Sequence, residues 1–484
     1  MNQNGYNRRP QQRGNPYQNR QRRGRRRRRR FPVGQLVLCL LTVAVIFAVI
    51  FAVAMKDDDS SALTDSTTDV TQSVSTTTGT EGSTAEDTTS EPAVDPNAYT
   101  EMTLLSTGDV MYHNPQLDAA YDYATGTYDF VPCYKYIKNI VSAADYAVVN
   151  FESTLAGPDY AFQGWPTFNT PDSGLDALVD AGFDMMLFAN NHCYDTQHAG
   201  VIRTQQTFEA CGVDYIGARL DTTGKTYKTV EVNGITLGML NSTDDLSYGN
   251  TAQRTVNGIL LKGDDISLLD LFNHSLLDSF YAQTEARIAE LRSAGADIII
   301  YYIHWGDEYN LYHNSIQGEI AQKLCDLGVD VIIGGHPHVI QDAEILTSTA
   351  DPSHSTLCFY SLGNLISNQN RLTLGDTMNS SHTENGLMVE LTIRKYASGE
   401  TMVTAVKTIP LWVHRYYDSA AARMRYEIVP IEAAIADPAS CGLYNSNFGV
   451  THATAALDMT NTTLDGICDV FASSVILPTD STEN

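Results

Sequence analysis

Short apolar runs alternate with helical patterns along the middle of the chain. The runs at 297–303 and 329–333 are rich in β-branched residues and do not alternate with polar ones. Such runs are typical of strands that are buried on both faces. The same signals predict further strands at 102–111, 145–152 and 183–189, and helices at 173–182, 201–211, 280–294 and 315–327. Strands that alternate with helices predict one α/β domain, which we place at 101–432.

Hairpins and a loop complete the predicted domain. Apolar segments flank an Asn-Gly dipeptide at 233–234, which favours a two-residue hairpin turn. A second hairpin is predicted from 386–395 and 401–408. Residues 242–278 are polar and irregular, which indicates an insertion loop. The C-terminal extension, 433–484, shows no pattern that predicts structure.

A continuous apolar stretch near the start of the chain predicts a transmembrane signal anchor. Residues 33–55 carry no charge, and about 20 apolar residues cross a bilayer core of roughly 30 Å. Residues 1–30 contain twelve Arg and no acid, so the positive-inside rule places this tail in the cytoplasm and the body outside. We therefore expect a single-pass protein of the cell membrane, whose tail contacts anionic headgroups. The alternative to the anchor is a cleaved signal peptide, although the apolar region of a signal peptide is shorter. The alternative for the Arg-rich tail is an RNA-binding arm.

Polar and acidic residues dominate the segment that succeeds this span. Residues 57–98 are mostly Ser, Thr, Asp, Glu, Gly and Ala, a composition that predicts a disordered linker. Once the twelve tail arginines are set aside, 19 basic residues face 57 acidic ones in the rest of the chain. The resulting net charge of −38 argues against nucleic acid as a partner of the body.

The eight cysteines form no pattern typical of a metal site or a disulfide framework. Cys39 lies in the predicted span, and the other seven are scattered without a CxxC spacing. A disulfide between Cys441 and Cys468 stays open, because sequence spacing does not decide it.

Side chains that bind metals or transfer protons follow several of the predicted strands. In chain order they are Asp109, Asn150, Glu152, Asn191, His192, Asp195, His304, Glu308, His336 and His338. Open α/β sheets build their sites at the carboxyl ends of strands, so we expect one shared site. Mixed nitrogen and oxygen ligands suit Mn²⁺, Fe or Zn²⁺ better than Ca²⁺. The set is sufficient for one metal ion and borderline for two.

Each signal alone also has a structural interpretation. A Gly-Asp pair after a strand is usually a turn, and a single histidine such as His304 is often a hydrogen-bonded core residue. The Gly-Gly-His-Pro-His segment at 334–338 is the most specific signal. Two imidazoles leave one buried strand there, and the glycines permit a close approach of the backbone.

Six motifs occur in an order that resembles a known family. They read Gly108-Asp109-Val110-Met111, Val149-Asn150-Phe151-Glu152, Asn190-Asn191-His192 with Asp195, His304-Trp305-Gly306 with Glu308-Tyr309, Gly335-His336-Pro337-His338-Val339 and Tyr360-Ser361-Leu362-Gly363-Asn364. This set resembles the bacterial poly-γ-glutamate capsule synthesis (CapA/PgsA) family, a divergent relative of the calcineurin-like metallophosphoesterases. The resemblance implies a four-layer αββα sandwich that is metallophosphoesterase-like. The apolar stretch at 33–55 adds one transmembrane helix before it.

The resemblance also implies one or two divalent ions (Mn, Fe or Zn) and roles for individual residues. The implied metal ligands are Asp109, Glu152, Asn191, His304, His336 and His338. Glu152 takes the position of the carboxylate that bridges two ions. His192 would be the general acid that protonates a leaving oxygen, and Glu308 is a second catalytic candidate.

Four positions depart from the expected motifs. Met111 stands where metallophosphoesterases have a His, and Met is a poor ligand for a hard metal ion. Glu152 replaces an Asp and is one methylene longer. These two changes leave undecided whether the site is a full two-metal centre. Gln197 replaces a Gly and His313 replaces a Pro, and we expect both to affect loop shape.

Two functions are compatible with these residues. The leading hypothesis is a membrane-anchored, extracytoplasmic protein that acts in synthesis or export of a poly-γ-glutamate capsule or related anionic envelope polymer. Polymer synthase or export subunits would be its partners. The alternative is a cell-surface metal-dependent hydrolase, a phosphoesterase or amide hydrolase, that is unrelated to a capsule. The intact ligand set argues against a third hypothesis, a scaffold without metal.

Overall fold

The computed structural model describes most of the chain after the predicted linker, namely residues 98–245, 247, 253–375 and 378–475. The predicted tail (1–30), the predicted span (33–55) and all but the last residue of the linker (57–98) lie outside the described residues. Within the described ranges, no helix combines the length and the apolar composition that a membrane crossing requires.

Strands and helices alternate through the first part of the fold, and longer strands come after them. The first ten strands are β1 (Tyr99–Val110), β2 (Tyr121–Asp122), β3 (Thr127–Tyr128), β4 (Tyr146–Phe151), β5 (Met185–Leu187), β6 (Asp214–Ile216), β7 (Lys228–Val232), β8 (Ile235–Asp244), β9 (Thr255–Val256) and β10 (Ile259–Leu260). The later strands are β11 (Leu271–Phe272), β12 (Ile298–His304), β13 (Val331–Gly335), β14 (Ala343–Thr347), β15 (Ser355–Phe359), β16 (Asn364–Ile366), β17 (Asn385–Tyr396), β18 (Thr401–Asp418) and β19 (Arg423–Pro430). The α-helices are α1 (Asn114–Ala120), α2 (Val131–Tyr134), α3 (Lys138–Val141), α4 (Ser173–Ala181), α5 (Gln197–Cys211), α6 (Leu277–Ser293), α7 (Ser315–Asp326), α8 (Ile431–Ala436), α9 (Gly449–Leu464) and α10 (Ile467–Ser474).

Two mixed sheets contain most of these strands. The first sheet has the order β19-β18-β17-β1-β4-β5-β6, and β16 pairs with the end of β1. The second has the order β11-β8-β12-β13-β15-β14, and β7 pairs with β8. In the first sheet β1, β4, β5 and β6 are parallel neighbours, and in the second β8, β12, β13 and β15 are. This combination of mixed sheets and helices confirms the predicted α/β class.

Alternate residues of the central strands pack into different apolar clusters. In β12, Ile300 lies in the cluster between the two sheets, and Tyr301 lies in the cluster under α6 and α7. In β1, Leu104 faces the same inter-sheet cluster, and Leu105 packs beneath α4 and α5. The layers therefore follow the order helices, sheet, sheet, helices. The prediction that the strand at 297–303 is buried on both faces is confirmed.

The chain beyond residue 408 forms strands and helices that its sequence pattern does not predict. Strand β18 continues to Asp418 and pairs along its length with β19. Helices α8 and α9 pack on these strands around Trp412 and Val429, and Phe471 of α10 joins the inter-sheet cluster. Helix α9 is rich in Ala and Thr, which leaves no strong apolar period to detect.

Smaller differences occur inside the predicted domain. Helix α5 begins at Gln197 rather than at 201, and Gln197 has a φ of 57°. This left-handed conformation explains why a glycine is expected at that position. The predicted insertion loop, 242–278, contains the β9–β10 hairpin and strand β11, which extends the second sheet. Cys441 and Cys468 both carry free thiols.

Close contacts with backbone and side-chain atoms explain the two glycines that precede His336. A Cβ on Gly334 would lie 2.0 Å from the carbonyl oxygen of Tyr360 and 2.6 Å from Nε1 of Trp305. A Cβ on Gly335 would lie 2.8 Å from Oδ1 of Asp109. These distances are shorter than van der Waals contact, so no side chain fits at either position.

Gly334→Ala should therefore destabilise the fold. Because the clash is with backbone, we expect the free energy of unfolding to fall by at least about 1–3 kcal/mol in chemical denaturation. Gly318→Ala in α7 is the control, since its Cβ would meet His313 at an ordinary 3.4 Å. That control should change stability by no more than about 1 kcal/mol. A Gly334→Ala protein as stable as the wild type would contradict the close approach.

Candidate metal centre

Two carboxylates from neighbouring parallel strands form the centre of the site. Asp109 lies near the end of β1 and Glu152 directly follows β4, and both side chains are fully buried. Asp109 accepts hydrogen bonds from Nδ2 of Asn150 (2.8 Å) and from the backbone N–H of His336 (3.2 Å). Neither carboxylate oxygen of Glu152 has a hydrogen-bond partner among the described residues. A buried carboxylate without donors is costly, so this side chain fits a cation.

Three imidazoles from the second sheet face these carboxylates. His304 ends β12, and its Nε2 lies 3.6 Å from Oε1 of Glu152 and 3.2 Å from Nδ1 of His336. His338 lies with Nδ1 3.3 Å from Oδ2 of Asp109 and Nε2 3.9 Å from Oε1 of Glu152. All three rings are buried. The carboxyl ends of the parallel strands of both sheets therefore meet at one point, as the sequence predicts.

The backbone after β13 adopts an unusual conformation that brings both of its imidazoles to this point. His336 and His338 have φ angles of 97° and 57°, in the left-handed region that non-glycine residues rarely occupy. Such conformations cost free energy and persist where the surrounding structure enforces them, often at functional sites.

The buried side chains form two groups that could each hold a metal ion, and we call these groups the ligand sets; both contain Glu152. One set contains Glu152, His304 and His336, and the other contains Asp109, Glu152 and His338. Within each set the ligand atoms lie within 4.8 Å of one another. Two ligands about 2.1 Å from one ion are themselves roughly 3–4 Å apart, so small shifts would close each set around an ion.

The loop after β5 supplies an amide and a fourth imidazole. Oδ1 of Asn191 lies 2.9 Å from Nε2 of His304, which brings the sixth predicted ligand to the others. Nδ1 of His192 lies 2.6 Å from Oδ2 of Asp195. This contact fixes the ring and leaves Nε2 as the nitrogen that exchanges a proton. Burial alone would lower the pKa of His192, but the Asp195 carboxylate outweighs it and raises that pKa.

Burial and mutual charge set the protonation of the ligands. Burial and the neighbouring Asp109 carboxylate raise the pKa of Glu152 to about 8. Burial lowers the pKa values of His304 and His336 to about 3, so both are neutral and ready to bind a metal. Burial also opposes a charge on His338, but the carboxylates of Glu152 and Asp109 outweigh it and raise its pKa to about 9.

Metal affinity should therefore rise with pH. An ion must displace the protons that Glu152 and His338 hold below about pH 8 and about pH 9. We expect affinity for Mn²⁺ to increase about tenfold per pH unit for each displaced proton between about pH 6 and 8. Competition with a chelator of known affinity measures this. An affinity that does not change over that range would contradict the assigned protonation.

Glu308 lies apart from these ligand sets. The residue is exposed to solvent, although its carboxylate is partly enclosed. This enclosure would raise the pKa of Glu308, but the nearby His338 and His336 outweigh it and lower that pKa. The structure thus places this predicted catalytic residue at the rim of the site. Asn150, noted only as a strand-end amide, instead lies inside, where its Nδ2 contacts Asp109 and its Oδ1 accepts from Asn190 (3.1 Å).

Two residues near the site have no sequence signal that identifies them. His113 packs edge-on against Phe168, whose ring also contacts His192, and burial lowers the pKa of His113 to about 4. Asn257 is at the turn of the β9–β10 hairpin, and its Nδ2 donates to Oδ1 of Asp195 (2.8 Å). Both reach the site through tertiary contacts, which the local pattern does not encode.

The chain matches a known protein family over more than half its length. Residues 103–369 match the family described as bacterial capsule synthesis protein PGA_cap. The PGA biosynthesis protein CapA of Bacillus subtilis (strain 168) is 27% identical over 277 residues, which cover 56% of this chain and 64% of that protein. The capsule biosynthesis protein CapA of Bacillus anthracis is 27% identical over 279 residues, which cover 56% and 60%. The match thus spans less than two thirds of either relative.

Solved structures superpose on this chain with low TM-scores. A hypothetical protein from Thermus thermophilus has a TM-score of 0.35 at 16% identity, covering 64% of this chain and 98% of that one. The calcineurin-like phosphoesterase YfkN from Bacillus subtilis has a TM-score of 0.34 at 13% identity, covering 65% and 91%. Overlaps of this size add nothing to the chemistry of the site.

Proposed function

Because the chain belongs to the bacterial capsule synthesis protein PGA_cap family, we propose that it acts in synthesis or export of a poly-γ-glutamate capsule or a related anionic envelope polymer. Two curated relatives are named for biosynthesis of PGA or of a capsule. The observation that carries the proposal is the pair of buried ligand sets that share Glu152 and lie inside the matched region. These ligand sets support the proposal that a metal centre takes part in this function.

The proposed centre holds one or two divalent ions, with Mn²⁺, Fe or Zn²⁺ suited to its donors. Asp109, Glu152 and His338 would hold one ion, and Glu152 with His304 and His336 would hold a second. An ion held there would supply Lewis acidity to a bound substrate. The order of layers agrees with a four-layer αββα, metallophosphoesterase-like sandwich.

The protein's own side chains supply proton transfer. His192 holds a proton at Nε2, and Asp195 stabilises the charged ring through its 2.6 Å contact with Nδ1. The proton is available to a leaving oxygen or nitrogen bound near the metal ligands. His304 and His336 stay neutral, so they take no part in proton transfer at neutral pH.

The cellular location of the centre is inferred from the residues that precede the family match, which begins at residue 103. We propose that residues 33–55 anchor the protein in the cell membrane, with the Arg-rich tail in the cytoplasm and the folded domain outside. Synthase or export subunits of the polymer are the proposed partners. The acidic body repels an anionic polymer, so a metal or a local basic group must accept it.

A second function, a cell-surface metal-dependent hydrolase unrelated to a capsule, is favoured by one observation. The His192–Asp195 pair lies beside the ligand sets, where a general acid is needed for cleavage of a phosphoester or an amide. Met111 at the usual position of a His argues against ordinary phosphatase activity.

Surface polymer in the bacterium that encodes this chain tests the proposal. In a strain that lacks the protein, the wild type should restore the polymer, and His336→Ala/His338→Ala at the same protein level should not. His354→Ala is the control, since that ring contacts the carbonyl of Val329, away from the site. Unchanged polymer with the double variant would contradict a capsule role for the centre, and metal-dependent ester hydrolysis would then support the second function.

A further inference from the structure

A separate cavity of about 370 Å³ lies mostly outside the region that matches the family. The match ends at residue 369, and almost all of the lining comes after it in the chain. The side chains that matter for its chemistry are Gln369, Arg371, Leu372, Arg415, Phe448 and His452. Helix α9 and strand β18 form its walls, so the C-terminal part of the chain builds it.

Gln369 connects this cavity to the metal centre. Its Nε2 donates to the hydroxyl of Tyr309 (3.2 Å), and its Oε1 accepts from Asn364 (3.1 Å). The ring of Tyr309 lies 6.2 Å from the ring of His338. Tyr309 thus lies between Gln369, which lines the cavity, and the ring of His338 in the metal centre.

One of the two guanidinium groups in the cavity has no carboxylate partner. Arg371 is paired with Glu384 through Nε and Nη2, both at 2.8 Å. Arg415 forms no ion pair with a carboxylate in the described part of the chain, and its contacts are with Tyr426, including Nε to the hydroxyl at 3.4 Å. The cavity thus has one uncompensated cation, which fits one anionic group.

The rest of the opening is apolar. The side chains of Leu372 and Phe448 are 77% and 63% exposed. Phe448 is also the N-cap of α9 and gives that helix no side-chain cap, so the positive end of the helix adds to the attraction for an anion. These walls fit a short methylene stem beside a carboxylate.

Two polar side chains of the lining are already used inside the protein. The side chain of Asn370 accepts from the N–H of Leu372 (2.9 Å) and donates to the carbonyl of Asn368 (2.6 Å). The hydroxyl of Ser446 pairs with Nε2 of His414 (2.9 Å). Because neither side chain is free to bind the several hydroxyls of a sugar, the lining favours an acidic polyamide, which has no hydroxyls, over a carboxylated sugar.

We infer that this cavity binds a carboxylate-bearing unit of an acidic polyamide, with its carboxylate on Arg415 and its apolar stem on Phe448 and Leu372. Its volume is at the lower end of the range of roughly 300–1,000 Å³ that small-ligand sites occupy, so it holds one or two units. The identity of the polymer rests on the proposed function. The cavity would align the chain so that a neighbouring linkage lies at the metal centre.

Calorimetric binding of a γ-linked glutamate trimer to the full chain tests this inference. Loss of one charge-assisted contact should weaken binding of Arg415→Gln about tenfold or more. Phe448→Ala should weaken it about threefold or more through lost apolar contact. Arg394→Gln is the matched control, because Arg394 is paired with Glu101 on another part of the sheet, and it should bind as the wild type does.

Two results would overturn the inference. One is equal trimer affinity of wild type and Arg415→Gln, with circular dichroism showing that both are folded. The other is tighter binding of a galacturonate trimer than of the glutamate trimer. The measurement needs no turnover and is made on the metal-free chain, so its result does not depend on the metal centre. If His336→Ala/His338→Ala restores the surface polymer in cells, the result contradicts the proposed function of the metal centre. The assignment of the cavity as a binding site for the trimer would still stand.

Discussion

Glu152→Gln should abolish the stabilisation that a divalent metal gives the folded protein. Glu152 is the residue that both ligand sets share, and its two oxygens have no other partner in the described structure. A metal at a thousand times its dissociation constant stabilises a fold by about 4 kcal/mol. At the same concentration of Mn²⁺ the variant should gain less than about 1 kcal/mol. Denaturant titration with and without metal measures both values.

A distant carboxylate provides the control for this experiment. Glu390→Gln removes a charge that pairs with Lys407 on the surface of the first sheet, so its response to metal should equal that of the wild type. An equal metal response in Glu152→Gln would show that the shared carboxylate is not a ligand.

The second large effect concerns proton transfer. If the centre hydrolyses a phosphodiester probe such as bis-p-nitrophenyl phosphate, His192→Gln should lower kcat by about 10²–10⁴-fold, because general acids contribute factors of this size. Metal content should stay at the wild-type level, since the His192 ring belongs to neither ligand set. Steady-state kinetics of the metal-loaded full chain measures the effect.

The control for His192 is another histidine paired with an aspartate. Nδ1 of His198 lies 2.7 Å from Oδ1 of Asp265, and its side chain is 59% exposed outside the ligand sets. His198→Gln should therefore leave kcat within about twofold of the wild type, in line with an exposed substitution. Equal losses in both variants would contradict a specific role for His192.

The central strands could be predicted because their signal is local. A run such as the one that forms β12 is apolar on both faces, and the structure buries Ile300 and Tyr301 in different clusters. Parallel strands bring their carboxyl ends to one edge, so His304 and His336 converge, as their positions in the sequence indicate.

Other parts of the site depend on contacts that no local pattern encodes. Asn257 reaches Asp195 from a hairpin within a polar segment, and its Asn-Gly dipeptide favours a turn but does not predict the contact with Asp195. His113 lies near His192 through Phe168, which comes from a different loop. Arg415 lies far along the long strand β18, where the chain brings it beside α9.

Metal content of the full chain tests the central claim most directly. After reloading with Mn²⁺ or Zn²⁺ and removal of free metal, the wild type should retain one or two ions per chain. The His336→Ala/His338→Ala variant, which removes one ligand from each set, should retain none. A folded wild-type protein that holds no metal after reloading would contradict the centre.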